Sequence, residues 1–216
     1  MNFYKINIPK SVVILIAFSV ALNILRVIIW GKLSFVYILW NIFLAIIPFV
    51  ISSLLLSISN KRKINQITFI AIGIIWLLFL PNSPYIITDL IHIGEVRFAP
   101  DLFDSFLLFS SAWTGLLLGM HSINHMEQIL STRYSKKITS TIIVITMFFV
   151  SFGIYLGRFL RLNSWDVFAS PGYFLGAIKE IFTNKNDFQI ALSYTVLFFF
   201  FILASYYSWK FSQKND

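Results

Sequence analysis

Three pairs of chemically active side chains recur at one spacing: Asp89 with His92, Asp101 with Asp104, and Arg158 with Arg161. On a helix, residues three apart lie on one side, one turn from each other, so each pair can point into a common pocket. Two chemistries fit these types. Arg158 and Arg161 can supply charge-assisted bonds to a phosphate or carboxylate, aided by the positive end of a helix beginning at Pro84. Asn82, Asp89, His92, Asp104, Arg158, Arg161 and Asp166 then form the candidate ligand-binding set. Alternatively, Asp89, His92 and Asp104 offer one nitrogen and two carboxylates, a set suited to zinc or non-haem iron and to a metal-dependent or acid–base enzyme. A third reading is structural, with Arg158 and Arg161 pairing with Asp89, Asp104 or Asp166 to fix helix ends.

His121 and His125 stand four apart, which is ligand spacing in some zinc proteins. The Glu that would follow the first histidine is missing, so they read instead as two interfacial histidines facing headgroups.

The elements that position these groups are membrane spans. Of 216 residues, 58% are hydrophobic and 12% charged, against about half and a quarter in a soluble domain. The net charge of +8 resides in short basic clusters between apolar runs, which fits membrane topology and argues against nucleic acid as a partner. With no cysteine, the chain has no disulfide, thiolate nucleophile or iron–sulfur ligand. No polar linker divides the sequence, so residues 1–216 are expected to form a single membrane domain.

A span needs about 20 mostly apolar residues. Six stretches come close, at 11–30, 34–58, 64–80, 102–124, 138–158 and 189–209. Ser19-Val20-Ala21 formally fits a cleavage site, but the apolar run continues through Ile29, which favours an uncleaved first helix. Asn23 and Arg26 fall near its far end, where Arg26 is expected to snorkel to the headgroups.

With the N-terminus cytoplasmic, the inner side carries ten basic residues: Lys5, Lys10, Lys61, Arg62, Lys63, Arg133, Lys136, Lys137, Lys210 and Lys214. The outer side carries six: Lys32, Arg97, Arg158, Arg161, Lys179 and Lys185. The positive-inside rule therefore favours cytoplasmic termini. The acids lean the other way, with only Glu127 and Asp216 inside and Asp89, Glu95, Asp101, Asp104, Asp166, Glu180 and Asp187 outside.

Two outer segments are too apolar for ordinary loops. Ser83 is expected to cap a short helix with Pro84 in its first turn, and Ser170-Pro171 repeats that signal before Phe174, Ile178, Ile181 and Phe182 at helical spacing. Both segments read as interfacial or re-entrant helices. The phenylalanine run 198–201 reads as lipid-facing bulk. Gly115-x-x-x-Gly119 and Gly153-x-x-x-Gly157 permit close helix approach, and if these faces meet, Asp104 and Arg158 share one membrane level.

Several strings resemble one family. Leu80-Pro81-Asn82-Ser83-Pro84-Tyr85-Ile86-Ile87-Thr88-Asp89-Leu90-Ile91-His92, Asp104, Trp113-Thr114-Gly115, and the stretch from Gly153 through Arg158 and Arg161 to Asp166 are similar to domain-of-unknown-function family 1361 (DUF1361), a group of bacterial polytopic membrane proteins. Ser83 and Leu162 stand where that family's pattern suggests alanine and tryptophan. The resemblance implies a membrane fold and a bacterial inner-membrane location, and carries no established activity or cofactor.

The expected architecture is thus an all-α polytopic bundle of about six spans with two short outer helices. Its environment is the lipid bilayer, and its expected partner is a small or lipid-linked anionic ligand.

Overall fold

The structure, a computed structural model, describes residues 8–94 and 100–213. Lys5, Glu95, Arg97, Lys214 and Asp216, which enter the charge comparison, lie outside the described residues. Among the described residues every regular element is helical. Six helical stretches are long and apolar enough to cross a membrane: Lys10–Trp30, Tyr37–Ser59, Gln66–His92, Asp101–Ser131, Lys136–Phe159 and Lys185–Ser212. Each overlaps one expected span.

The chain divides into two compact units, residues 1–129 and 130–216. The first contains α1 (Lys10–Trp30), α2 (Tyr37–Ser59), α3 (Gln66–Phe79), the single turn α4 (Asn82–Tyr85), a 3-10 segment (Ile86–His92) and nearly all of α5 (Asp101–Ser131). The second contains α6 (Lys136–Phe159), the single turn α7 (Asp166–Ala169), α8 (Pro171–Thr183) and α9 (Lys185–Ser212).

Local sequence explains several ends. α1 stops at Gly31, whose left-handed backbone (φ 62°) returns its N–H to Val27. Asn65 caps α3 by accepting from the Thr68 N–H at 2.8 Å. Pro171 opens α8 in the first turn, where its missing N–H costs nothing.

The segment after α3 departs from expectation. It is the continuation of the third span, with Leu80 and Pro81 both in the right-handed helical region. Pro81 removes one backbone donor, and the chain then tightens into 3-10 geometry through His92. Ser83 is not a cap, because its hydroxyl donates instead to the Ala45 carbonyl of α2 at 3.1 Å. The single turn that contains Pro84 is too short to present a helix N-terminus to an anion.

The same turn explains Gly115 and Gly119. A Cβ on Gly115 would collide with the Ser83 carbonyl and Ile86, and one on Gly119 would come within 3.1 Å of Ser83 Cβ. Within the first unit this glycine face of α5 is therefore occupied by α4. Around it, Ile38, Ile42, Ala45, Phe49, Ile86, Leu107, Leu108 and Leu118 form the apolar core of the first unit.

In the second unit Tyr155, Leu156, Leu162, Ile181 and Ala191 form a separate core. α8 thus packs its Ile181 face inward, while Tyr173, Leu175 and Phe182 remain exposed.

The distribution of polarity is inverted relative to a soluble protein. Ile14, Ile28, Phe106, Phe109, Leu197 and Phe200 are exposed on the long helices, whereas Arg26, Asp89, Asp104 and Asn23 are buried. Burying charge while exposing phenylalanine is stable only where the surrounding solvent is hydrocarbon. The chain is an integral, multi-pass membrane protein.

Gly115→Ala is expected to destabilise the first unit by about 1–3 kcal/mol, the usual cost of overpacking. Gly119→Ala should cost less, and thermal unfolding of the purified variants in detergent would rank them.

Candidate functional site

The polar side chains of the first unit are joined across helices. Arg26, near the end of α1, is 1% exposed and holds Asp104 of α5 in a fork: Nε donates to Oδ1 at 2.7 Å and Nη2 to Oδ2 at 3.1 Å. Its third group, Nη1, donates to the Lys32 carbonyl at 3.4 Å, and the guanidinium lies 4.6 Å from the centre of the Phe35 ring. Arg26 therefore does not snorkel. Asp104 stands within reach and satisfies two of its donor groups, which releases the side chain from seeking water.

Two turns further into α1, the hydroxyl of Ser19 approaches Thr114 of α5 at 3.1 Å and Ser110 at 3.5 Å. Asn23 folds back on its own helix, donating to the Ser19 carbonyl at 3.0 Å. The α1–α5 contact is thus a polar seam with its strongest bond at Arg26.

Asp89 and His92 do share a face, as their spacing predicts, because a 3-10 segment repeats every three residues. That face meets α2. Asn41 donates to Asp89 Oδ2 at 2.9 Å, and the Tyr37 ring meets the His92 ring edge-on at 6.3 Å. Asp101 and Asp104 separate in environment, the first exposed in the opening turn of α5 and the second buried. Asn82 donates to the Phe79 carbonyl at 2.8 Å, closing the end of α3. Asp89, His92 and Asp104 do not form a three-ligand set, and among the described residues no group of three His, Cys, Asp or Glu side chains is placed to hold a metal ion.

In the second unit, Arg158 lies partly buried in the last turn of α6. Arg161 is exposed and occupies the left-handed region, with φ 54°. A non-glycine residue there costs about 1–2 kcal/mol. The reversal lets Leu162 N–H reach the Leu156 carbonyl at 3.3 Å and sends Leu162 into the apolar core. Asp166 binds locally, accepting from the Asn163 N–H at 2.6 Å and from Asn163 Nδ2 at 3.3 Å. Asp104 and Asp166, two acids expected to pair with the arginines, are thus held by Arg26 and Asn163.

His121 and His125 do not simply face headgroups. Both are partly buried against the Phe49 ring of α2, and His125 Nδ1 lies 3.2 Å from Ser52 Oγ.

The residues that do the joining went unnoticed in the sequence: Arg26 in this role, Asn41, Ser52, Trp76 and Ser122. The available signal was a polar or charged residue inside an apolar run, which is costly unless partnered. Arg26 and Asn41 both meet that description.

With this geometry the affiliation is settled by one comparison. The family model "Protein of unknown function (DUF1361)" matches residues 40–205. This chain belongs to the DUF1361 family. No curated protein matches it, and no solved structure does. The matched range includes Asp89, Asp104, Arg158 and Arg161 but begins after Arg26, so Asp104 of the family region is held by a residue that precedes it.

Asn41→Leu removes a donor from a buried carboxylate and is expected to cost about 1–3 kcal/mol. Denaturant unfolding in a fixed detergent would check it.

Proposed function

We propose that this protein binds a small or lipid-linked anionic ligand, bearing phosphate or carboxylate, where α6 ends in the second unit. Arg161 is the principal contact and Arg158 stands three residues before it. The supporting observation is the backbone of Arg161. A glycine there would avoid the left-handed penalty, yet the chain keeps an exposed arginine. An arginine retained at such a cost suits a side chain whose planar fork is used on something outside the fold.

Arg161 makes no ion pair among the described residues. Lys179 and Lys185, exposed in the same unit, add positive charge of the kind that draws anions. In this reading Asp89, Asp104, Asn82 and Asp166 act as the frame, and the ligand is met by the basic residues. The positive-inside balance supports cytoplasmic termini in a bacterial inner membrane, which puts Arg161 on the outer face.

The test uses Arg161→Gly and Arg161→Gln with phosphatidylglycerol, phosphatidylcholine and inorganic phosphate as probes for protein in neutral detergent. Arg161→Gly should keep or raise the unfolding temperature, since it relieves about 1 kcal/mol of backbone strain. Affinity for the anionic probe should fall by about tenfold or more in both variants, as expected for loss of a charge-assisted bond. Unchanged anion affinity in Arg161→Gly would overturn the reading.

A further inference from the structure

A second polar cluster lies in the first unit alone and is independent of the anion reading. Ser52 of α2, Trp76 of α3, and Ser122 and His125 of α5 meet around the carbonyls of Pro48 and Phe49. Trp76 Nε1 donates to Ser122 Oγ at 2.8 Å, and Ser122 Oγ donates to the Pro48 carbonyl at 2.9 Å. Ser52 Oγ lies 3.0 Å from the Phe49 carbonyl, 3.1 Å from Ser122 Oγ and 3.2 Å from His125 Nδ1.

Protons decide which of these five approaches are hydrogen bonds. Each hydroxyl has one to give and the indole has one. If His125 Nδ1 is bare, three protons serve the cluster, and a bond from Ser52 to His125 leaves the Phe49 carbonyl without the Ser52 hydroxyl. If Nδ1 carries a proton, four of the five become bonds: indole to Ser122, Ser122 to Pro48, imidazole to Ser52, and Ser52 to Phe49. Buried polar groups favour the more complete set. A partner at one ring nitrogen fixes the state of the other, so neutral His125 is left with a bare Nε2.

We propose that His125 is a proton-binding site inside the membrane bundle, taking up a proton at Nε2 while Nδ1–H stays bonded to Ser52. Nδ1–H is a donor in both charge states, so the joint between α2, α3 and α5 survives proton uptake. His121, one turn back on α5, is the titratable group that shares the Phe49 ring with it. α2 contributes Phe49 and Ser52 and α3 contributes Trp76, none of which changes charge near neutral pH. Such a base is equipped to accept and return a proton within a bundle of apolar helices.

The chain has three histidines, which makes the test tractable. Imidazole nitrogen spectra of 15N-histidine protein in nanodiscs can be assigned by difference with His92→Gln and His121→Gln. At pH 8, His125 should show a protonated Nδ1 and a bare Nε2. On acidification its Nε2 should gain a proton with the Nδ1 proton retained, and Ser52→Ala should shift the neutral ring toward the Nε2–H form. A bare Nδ1 at pH 8, or a His125 signal that stays constant until the protein unfolds, would overturn the proposal. An unchanged tautomer in folded Ser52→Ala would do the same. If Ser52→Ala does not fold, the parent spectrum at pH 8 still decides.

Discussion

The fork between Arg26 and Asp104 is the constraint on which the first unit depends. A guanidinium and a carboxylate that are each almost wholly buried cannot be held apart without leaving a charge unsolvated. Their closeness fixes where α1 lies against α5, and α5 in turn receives α4 on its glycine face. The remaining polar contacts between α1 and α5 are weaker and neutral, and they follow the register that the ion pair sets. Lipid offers no alternative partner of comparable strength, so the pair specifies a location more sharply than apolar packing alone.

Around this constraint the molecule divides its polar residues by task. Asp89, Asp104 and Asp166 hold helices or turns, through Asn41, Arg26 and Asn163. The serines, the indole and His125 form a joint of three helices. Arg161 is different in kind, since its backbone is strained and the residue is exposed.

Much of this was legible in the residues. Six spans followed from apolar run lengths, α8 from Ser170-Pro171 and the Phe174/Ile178/Ile181 spacing, and the shared face of Asp89 and His92 from a separation of three. The family affiliation followed from residue strings between positions 80 and 166. Partner choice was less legible, because it depends on which helices are neighbours, and periodicity reports a face without naming what it meets. Arg26 was read as snorkelling since a lone arginine near a span end has that option, and only the placement of Asp104 removes it. Ser83 carried a capping signal, but the helical backbone of Leu80 and Pro81 left no helix start for it to cap, and α2 offered a carbonyl instead. The left-handed turn at Arg161 had no signal in its own residue type, since glycine or asparagine would mark it and arginine does not.

The most direct test of the account is a charge exchange at the pair that organises the first unit. Stability in detergent would be measured for Arg26→Asp, for Asp104→Arg and for the two together. Each single change leaves two like charges buried and should cost at least the roughly 3–5 kcal/mol of a broken buried pair, while the double change should recover most of that loss. Single variants as stable as the parent, or losses that simply add in the double variant, would contradict a buried Arg26–Asp104 bond at the centre of the fold.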